Sequence, residues 1–274
     1  MKKLTKNNIK SLIKPRNENA HKGNHGHVLL IAGSMGRMGA AVIAARACLR
    51  SGSGLLTINV PENERWILQT AIPEAMLVRR ENAIVDLKDF SAIGIGPALG
   101  IDKVAVEILT TVLSQPSKPL LLDADALNII EADKHLLEKI PEQTILTPHP
   151  KEFDRLFGIH KNVEERIETA IKKSKELNLV IVLKGHRTLV AFAGEAFGNT
   201  TGNAGLAKAG SGDALSGIIT SFLAQGYAPF TAAKLGVYMH GLAADIALKQ
   251  QSMESMLITD VIECLGAAFK HVMK

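Results

Sequence analysis

Short apolar runs alternate along the chain with longer segments in which apolar residues recur at helical spacing. Short runs of this kind are typical of strands buried in a sheet. The predicted strands cover residues 28–33, 55–60, 91–96, the leucines within 119–127, 144–148, 180–185 and 188–194. The predicted helices cover residues 39–52 and 104–114, one that begins near 151, 163–178, and about 212–225, 229–249 and 257–274.

This alternation predicts an α/β fold with a mostly parallel sheet, because crossover helices join parallel strands and cover both faces of the sheet. No low-complexity linker or internal repeat interrupts the 274 residues. We therefore predict one domain over residues 1–274, with residues 1–20 as an N-terminal helix or arm.

Glycine-rich or polar segments follow five of the predicted strands. They are GSMGRMG, GPALG, DADALN, TPHPKE and KGHR, in chain order. In an open parallel sheet the carboxyl ends of the strands lie along one edge, where ligands bind. Five such loops favour a binding cleft, although each glycine loop alone is equally well explained as a tight turn. Neither glycine loop has the GxGxxG spacing, and the sequence contains no GxxxxGK[ST].

Composition narrows the class of protein. Hydrophobic residues make up 46% of the chain and charged residues 22%, which suits a folded domain with a substantial core. Aromatic residues make up only 4%, which argues against a surface that stacks on nucleic-acid bases. The formal net charge of +5 suits anionic small molecules as well as it suits nucleic acid. We expect small-molecule partners and no nucleic acid.

The sequence does not show the segments of a membrane or exported protein. Its basic N-terminal segment develops no apolar region of a signal peptide, and no apolar run is long enough to cross a bilayer. Cys48 and Cys264 lie far apart in helical patterns and are interpreted as small buried hydrophobic residues. These features predict a cytoplasmic protein with no membrane partner.

The segment AKAGSGDALSG, residues 207–217, places one acid, Asp213, where glycines end and a helical pattern begins. One interpretation is a helix cap, in which Ser211 or Asp213 accepts a backbone N–H. The other is an anion site, since glycines let the backbone approach a phosphate and a helix N-terminus supplies free N–H donors. A carboxylate there is explained if it accepts the proton of an attacking hydroxyl. The segment alone leaves both interpretations open.

Other polar side chains also follow the strands. His149, between two prolines, is either a surface residue or a ligand contact, and Lys184 is either a phosphate contact or a solvated strand end. Asp123 and Asp125 should point to opposite faces, so that one could hold Mg²⁺ through water and the other could cap the next helix. The histidines of HKGNHGH, residues 21–27, form either a metal site or, more simply, a polar approach to the first strand.

Taken together, the motifs resemble one protein family. HKGNHGHVLLIAGS, IGIGPALG, LLLDADALN, TILTPHPKEF, VIVLKGHRT and TGNAGLAKAGSGDALSG are similar to the ADP-dependent NAD(P)H-hydrate dehydratases of the ribokinase-like superfamily. The resemblance implies a ribokinase-like three-layer α/β/α sandwich. It also implies an enzyme that phosphorylates the ring hydroxyl of the S-form hydrates of NADH and NADPH with ADP or ATP, and then eliminates phosphate.

The resemblance assigns roles to individual residues. Asp213 would be the catalytic base. The hydrated cofactor would contact Ala40, Gly96, Gly100, His149 and Asp213. The nucleotide would contact Lys184, Gly185, His186, Arg187, Thr188, Asn203, Gly210 and Gly212. Mg²⁺ would neutralise the phosphates, and the family suggests a homo-oligomer such as a tetramer.

The chain departs from the family pattern in GPALG, where Ala98 replaces the usual glycine. The epimerase domain that many relatives carry is not expected, since only about 27 residues precede the first predicted strand. Two other functions stay open: a kinase for a thiazole or pyrimidine alcohol, and a nucleotide-binding protein without turnover. TPHPKEF and LKGHRT favour the dehydratase.

Overall fold

One continuous sheet forms the centre of the molecule. The structure is a computed structural model that describes residues 1–80, 86–115 and 118–274. The described strands are β1 Lys2–Lys3, β2 His27–Ile31, β3 Leu55–Val60, β4 Met76–Arg79, β5 Ala92–Ile95, β6 Leu120–Leu122, β7 Ile145–Leu146, β8 Val180–Leu183, β9 Leu189–Phe192 and β10 Glu195–Gly198. Their order in the sheet is β1-β10-β9-β8-β7-β6-β5-β2-β3-β4. Strand β9 runs antiparallel to β8 and β10, and the other described neighbours are parallel.

Helices cover both faces of this sheet. The described helices are α1 Lys6–Leu12, α2 Met38–Arg50, α3 Arg65–Ala71, α4 Lys103–Ser114, α5 Asp125–Ala132, α6 Pro150–Phe157, α7 Val163–Glu176, α8 Ser211–Ala224, α9 Pro229–Ala247, α10 Ile258–Glu263 and α11 Leu265–Met273. Val28 and Leu30 of β2 pack with α2, α8 and α9, whereas Leu29 and Ile31 pack with α4 and α5. The predicted three-layer α/β/α fold is confirmed. None of the described helices is both long and apolar enough to cross a membrane.

The pattern of apolar residues does not predict the short or partly exposed strands. It predicts no strand at β1, β4 or β10, because β1 has two residues and β4 and β10 are partly exposed. The single helix predicted over residues 257–274 is wrong. It is divided into α10 and α11 at Cys264, whose backbone N–H is shared between the carbonyls of Asp260 and Val261.

The five polar loops are bonded to one another at the carboxyl ends of the parallel strands, an edge that we call the loop edge. Backbone hydrogen bonds continue beyond the ends of the strands. The N–H groups of Gly33, Gly96, Asp123, Thr147 and Lys184 donate to the carbonyls of Pro97, Ile31, Ile95, Leu122 and Pro148, respectively, at 2.8–3.1 Å. The predicted clustering of these loops is confirmed.

Helix α8 lies close to the sheet and to α2 because glycines stand at both contacts. A Cβ atom on Gly217 of α8 would lie 2.0 Å from the carbonyl oxygen of Ala44 in α2. A Cβ atom on Gly94 of β5 would lie 2.6 Å from Thr220 Oγ1 of α8. These close contacts fix the distance of α8 from the sheet and from α2. They therefore also fix the position of its first turn at the loop edge.

We predict that Gly217→Ala destabilises the protein by about 1–3 kcal/mol, because overpacking forces backbone shifts. Urea denaturation measures the effect. Gly39→Ala in α2 is the matched control: a Cβ atom there would meet no described atom within 4 Å, so it should be neutral or stabilising by about 0.5–1 kcal/mol. Equal stability of Gly217→Ala and the parent would contradict the proposed packing constraint.

Candidate active site

The loop edge opens into a cleft of about 640 Å³ where α8 begins. It gathers most of the residues that the sequence singles out. Its lining includes Asp123, His149, Lys184, Gly185, His186, Thr188, Asn203, Gly212 and Asp213. The ends of β6, β7 and β8 and the start of α8 therefore meet at one site.

A buried ion pair joins the sheet to α8 in this cleft. Asp123, only 1% exposed, accepts a hydrogen bond from Lys184 Nζ at 2.8 Å and another from Ser216 Oγ at 2.7 Å. The side chain of Lys184 is 20% exposed, so its interpretation as a solvated strand end is wrong. A Cβ atom on Gly212 would lie 3.3 Å from Lys184 Nζ. The glycine thus lets the ammonium group sit against the first turn of α8.

Lys184 remains a cation in this position. Burial acts to lower the pKa of its ammonium group, but the negative charges of Asp123 and Glu152 outweigh burial and raise the pKa above its ordinary value. Glu152 Oε2 lies 3.9 Å from Lys184 Nζ. A helix N-terminus carries partial positive charge and N–H groups without acceptors inside the helix. Lys184 and the first turn of α8 together form a surface suited to an anion.

Asp213 is the third residue of α8. Its N-cap residue is Gly210, with a left-handed φ of 89°, and no described side chain makes a cap hydrogen bond there. The helix-cap interpretation of Ser211 or Asp213 is therefore wrong. Burial raises the pKa of Asp213 to about 6, the charge of Asp123 adds to this rise, and the cation of Lys184 opposes it. A carboxylate that exchanges its proton near neutral pH is suited to general-base catalysis.

His149 is the N-cap residue of α6, and Pro150 is the first residue of the helix. Its Nδ1 accepts the backbone N–H groups of Lys151 and Glu152 at 3.2 Å, while Glu152 Oε2 accepts the N–H of His149 at 2.7 Å. Glu152 therefore supports the start of α6. Because Nδ1 accepts and burial lowers the pKa of the ring, the neutral tautomer carries its proton on Nε2. Nε2 lies 3.3 Å from Glu152 Oε1, so this donor faces Glu152 at the cleft.

Asp125 points away from Asp123, as strand alternation predicts. Its Oδ2 accepts the N–H of Gly100 at 2.8 Å, and its Oδ1 accepts Asn128 Nδ2 at 3.2 Å. Asp125 and Gly100 line a second cavity of about 480 Å³. The predicted cap of α5 is wrong: Ala124 is the N-cap residue, and no cap hydrogen bond from a side chain is found in the described structure.

Besides Asp125 and Gly100, four other singled-out residues lie outside the lining of the cleft. Ala40 is in the first turn of α2 and half-buried, and Arg187 NH1 contacts the carbonyl of Thr200 at 3.5 Å. Gly210 and Gly96 lie against neighbouring residues: a Cβ atom on Gly210 would lie 2.6 Å from Ile43 Cδ1, and one on Gly96 would lie 1.8 Å from the carbonyl oxygen of Asp123. The ligand contacts assigned to these residues and to Gly100 stay predictions.

Asn203 lines the cleft, but its side chain already has partners. Its Oδ1 accepts the N–H of Gly205 at 3.0 Å, and its Nδ2 donates to Asp245 Oδ1 at 3.1 Å. The contact of Asn203 with phosphate also stays a prediction.

The side chains around the cleft form no metal cage. Among the described residues there is no group of three or more His, Cys, Asp or Glu side chains suited to a metal ion. Both oxygens of Asp123 and of Asp125 already accept hydrogen bonds. In the N-terminal segment, His21 Nδ1 accepts the N–H of Gly23, and His27 Nε2 lies 2.8 Å from Thr57 Oγ1. Mg²⁺ at the cleft would therefore depend mainly on phosphate oxygens.

The sequence patterns do not identify three side chains at or near the cleft as site residues. Ser216 follows Asp213 by three residues on α8, which places both side chains on one face of the helix. This spacing is the one feature of the sequence that could have identified Ser216. Glu152 is recognisable as a helix-start residue but not as a neighbour of Lys184. His240 lies in the apolar helix α9, where no local pattern marks it.

A buried lysine, a helix start and a carboxylate of raised pKa on this fold are features of enzymes that activate a hydroxyl beside a phosphate. Comparison with known proteins gives the particular family. A family model described as NAD(P)H-hydrate dehydratase matches residues 28–266. The chain belongs to the NAD(P)H-hydrate dehydratase family, and the resemblance of its motifs is confirmed.

Two relatives show the extent of the similarity. The chain is 38% identical over 258 residues to the ADP-dependent (S)-NAD(P)H-hydrate dehydratase of Neisseria meningitidis serogroup B, covering 92% of this chain and 87% of the relative. It is 37% identical over 275 residues to the bifunctional NAD(P)H-hydrate repair enzyme Nnr of Moorella thermoacetica, covering 94% of this chain. The chain spans about half of that relative, at 52% of its length.

Solved structures agree with the family and the fold. The ADP/ATP-dependent NAD(P)H-hydrate dehydratase of Bacillus subtilis, co-crystallised with ATP and Mg²⁺, is 32% identical with a TM-score of 0.89, covering 99% of this chain and 98% of that one. The hydroxyethylthiazole kinase of Pyrococcus horikoshii is 17% identical with a TM-score of 0.66, each chain covered to 89%. The second likeness shows the shared fold alone.

Backbone strain lies between the two acids of the DADALN loop. Ala124 joins Asp123 to Asp125 with φ 46° and ψ −117°, a conformation that residues with a side chain rarely adopt. Such strain costs about 1–3 kcal/mol and persists only where surrounding contacts impose it. The contact of Gly96 with the Asp123 carbonyl is one such constraint.

We predict that Ala124→Gly raises the free energy of unfolding by about 0.5–2 kcal/mol, since relief of strain exceeds the added entropy of the unfolded chain. Urea denaturation measures this change. Ala228→Gly is the control, because Ala228 is exposed with an ordinary φ of −55° and its replacement should not stabilise. A loss of stability in Ala124→Gly would show that the strain is absent.

Proposed function

We propose that this chain catalyses the nucleotide-dependent dehydration of the S-form hydrates of NADH and NADPH, which restores the reduced cofactors. Membership of the family supports this activity. The observation that carries the proposal is the position of Asp213, a carboxylate of raised pKa beside Lys184 at the start of α8. A site that only bound phosphate would gain nothing from that carboxylate.

In the proposed first step, the carboxylate of Asp213 accepts the proton of the ring hydroxyl. The hydroxyl oxygen forms a bond to the terminal phosphorus of ADP or ATP, and the bond from that phosphorus to the bridging oxygen breaks. In the second step, phosphate leaves with the electrons of the carbon–oxygen bond, and the adjacent ring carbon transfers a proton to water. The new carbon–carbon double bond restores the dihydronicotinamide.

Other residues of the cleft would position and stabilise the reacting groups. Lys184 and the N–H groups of the first turn of α8 face developing negative charge on the transferred phosphoryl group. Gly212 leaves room for this approach, because its Cβ position lies against Lys184 Nζ. His149 would contact the hydrated cofactor with the exposed part of its ring, since its Nε2 lies 3.3 Å from Glu152 Oε1.

We propose that Mg²⁺ enters with the nucleotide. Apart from histidines, the described ionisable side chains that line the cleft are Asp123, Glu152, Lys184 and Asp213. Three acids and one lysine do not by themselves attract a polyphosphate, so a cation carried on the phosphates would supply the missing charge. The homo-oligomer suggested by the resemblance stays a prediction that light scattering would test.

One assay separates this activity from the two alternatives. Purified hydrate of NADH should regain reduced-cofactor absorbance when the protein, Mg²⁺ and ADP or ATP are added. A kinase of thiazole or pyrimidine alcohols would instead leave a stable phosphorylated alcohol. A binding protein without turnover would leave the hydrate and the nucleotide unchanged.

We predict that ADP or ATP with Mg²⁺ stabilises the protein. A ligand at 100 times its Kd stabilises the native state by about 2.7 kcal/mol, which a thermal scan detects as a higher Tm. Lys184→Met provides a control for the site, because it leaves Asp123 unpaired and removes the cation facing the phosphates. The absence of any shift with adenine nucleotides would argue against the proposed nucleotide site.

We predict that Asp213→Asn lowers the turnover number by about 10²–10⁴-fold, because asparagine cannot accept the hydroxyl proton. Nucleotide affinity should be equal or higher, since a negative charge beside the phosphates is removed. Steady-state kinetics and calorimetry on the same preparation measure both quantities. Retention of most of the activity would exclude Asp213 as the base.

The pH dependence provides a further check on Asp213. The folded pKa of about 6 lies above the ordinary value of 3.8, so the ionised carboxylate costs stability above pH 6 and this cost disappears as the pH falls. Asp213→Asn should therefore melt at an equal or higher temperature than wild type at pH 8, with a smaller difference at pH 5. The wild-type kcat/KM should decline below about pH 6.

A further inference from the structure

An arginine that follows β4 joins three other strands at the loop edge. Arg80 is half-buried, and its guanidinium group donates five hydrogen bonds to described residues, as many as it has N–H donors. Nε donates to Asn59 Oδ1 at 3.1 Å, and the two terminal nitrogens donate to the carbonyls of Ala32, Gly33, Asn59 and Leu99 at 2.8–3.5 Å. These acceptors lie at the ends of β2 and β3 and in the loop after β5. The proposed proton and phosphoryl transfers do not involve this arginine.

Arg80 is connected to the GPALG loop in two ways. The carbonyl of Gly33 accepts from Arg80 at 2.8 Å, and the N–H of Gly33 donates to the carbonyl of Pro97 at 2.8 Å. The direct bond to the carbonyl of Leu99 is the longest of the five, at 3.5 Å. Hydrogen bonds from a charged donor are stronger than those between neutral groups. Arg80 therefore restrains the loop on both sides of Ala98.

A second charged side chain holds the same loop from the opposite direction. The carbonyl and the N–H of a trans peptide unit point in opposite directions. In the unit between Leu99 and Gly100, the carbonyl accepts from Arg80, and the N–H donates to Asp125 Oδ2 at 2.8 Å. Arg80 lines a cavity of about 570 Å³, whereas Asp125 and Gly100 line the separate cavity of about 480 Å³. A cation and an anion thus fix the plane of one peptide unit between two cavities.

The backbone of this loop is strained where the chain departs from its family. Ala98 replaces the usual glycine and has a left-handed φ of 48°. A residue with a side chain rarely adopts this conformation, which persists only where surrounding contacts impose it. The bonds from Arg80 and Gly33 are such contacts, because they hold the residues on either side of Ala98.

We propose that Arg80 is a positioning residue for the hydrated cofactor. It sets the orientation of the peptide unit between Leu99 and Gly100, and so the surface that the loop presents at Gly100. This inference rests on the proposed function, in which the resemblance assigns Gly100 to the hydrated cofactor. The N–H donors of Arg80 already have acceptors, so that it acts on the substrate only through the loop.

Nucleotide binding should not depend on Arg80. The proposed phosphate contacts are Lys184, after β8, and the start of α8, whereas the GPALG loop follows β5. In the sheet, β5 and β8 are three strand spacings apart, which is roughly 14 Å at about 4.8 Å for each spacing. Arg80 lies farther in the same direction, since it follows β4 at the end of the described strand order. Loss of Arg80 should therefore affect the use of the hydrate and not the binding of the nucleotide.

Steady-state kinetics and calorimetry on Arg80→Met test this separation. With the hydrate of NADH, kcat/KM should fall by about 10- to 100-fold because the substrate is misplaced, mainly through a higher KM. The Kd of ADP with Mg²⁺ should match that of wild type. Arg80→Lys keeps the charge without the planar set of donors and should recover part of the loss. Arg46→Met is the matched control and should leave both quantities unchanged, since Arg46 is also half-buried but donates to the carbonyl of Ala71, at 3.1 Å.

Hydrogen exchange keeps the proposal testable if Arg80→Met folds poorly. In wild type without nucleotide, the hydrate should slow exchange of the Gly100 amide proton, and ADP should not. In Arg80→Lys this proton should exchange faster than in wild type.

Several results would overturn the positioning role of Arg80. They are full activity of Arg80→Met, equal losses of hydrate use and ADP affinity, a Gly100 amide that the hydrate does not protect, and equal exchange of that amide in Arg80→Lys and wild type. A wild-type chain that leaves the hydrate unconverted would instead overturn the proposed function, together with the inference that rests on it.

Discussion

The ion pair between Asp123 and Lys184 is the interaction on which the geometry of the cleft depends. It links the ends of β6 and β8 and is connected through Ser216 to α8. Removing one partner of a buried pair leaves an uncompensated charge, at a cost of about 3–5 kcal/mol. The pair therefore holds the helix start and the sheet in one arrangement.

The same pair also sets the electrostatics of Asp213. The negative charge of Asp123 helps burial to raise the pKa of Asp213, and the cation of Lys184 limits this rise. Without Lys184 the carboxylate would be held more strongly in its protonated form, which cannot accept a proton. A single lysine thus serves both the proposed phosphate and the proposed base, because it lies between two acids and the first turn of α8.

Sequence reasoning finds the residues whose position follows from the order of strands and loops. Asp123, His149 and Lys184 each follow a buried strand, so the parallel sheet brings them together. Sequence reasoning fails where contacts between distant parts of the chain decide the local structure. The cap of α8 is the left-handed Gly210 and not a side chain. His240 is an isolated polar residue in an apolar helix, and only the fold shows that its nitrogen is buried beside the cleft.

The hydrogen bonds between the loops have a consequence for how this architecture can vary. Each of the five loops donates to or accepts from a neighbour through backbone atoms, so an inserted residue in one loop would shift the register of the next. Side-chain changes such as Ala98 in GPALG leave these bonds in place. The turns that precede the parallel strands are joined by separate backbone bonds, such as those from Gly54 N–H to the His25 carbonyl at 3.1 Å and from Gln143 N–H to the Asn178 carbonyl at 2.6 Å. An insertion there would disturb that edge of the sheet and leave the five loops at their present lengths.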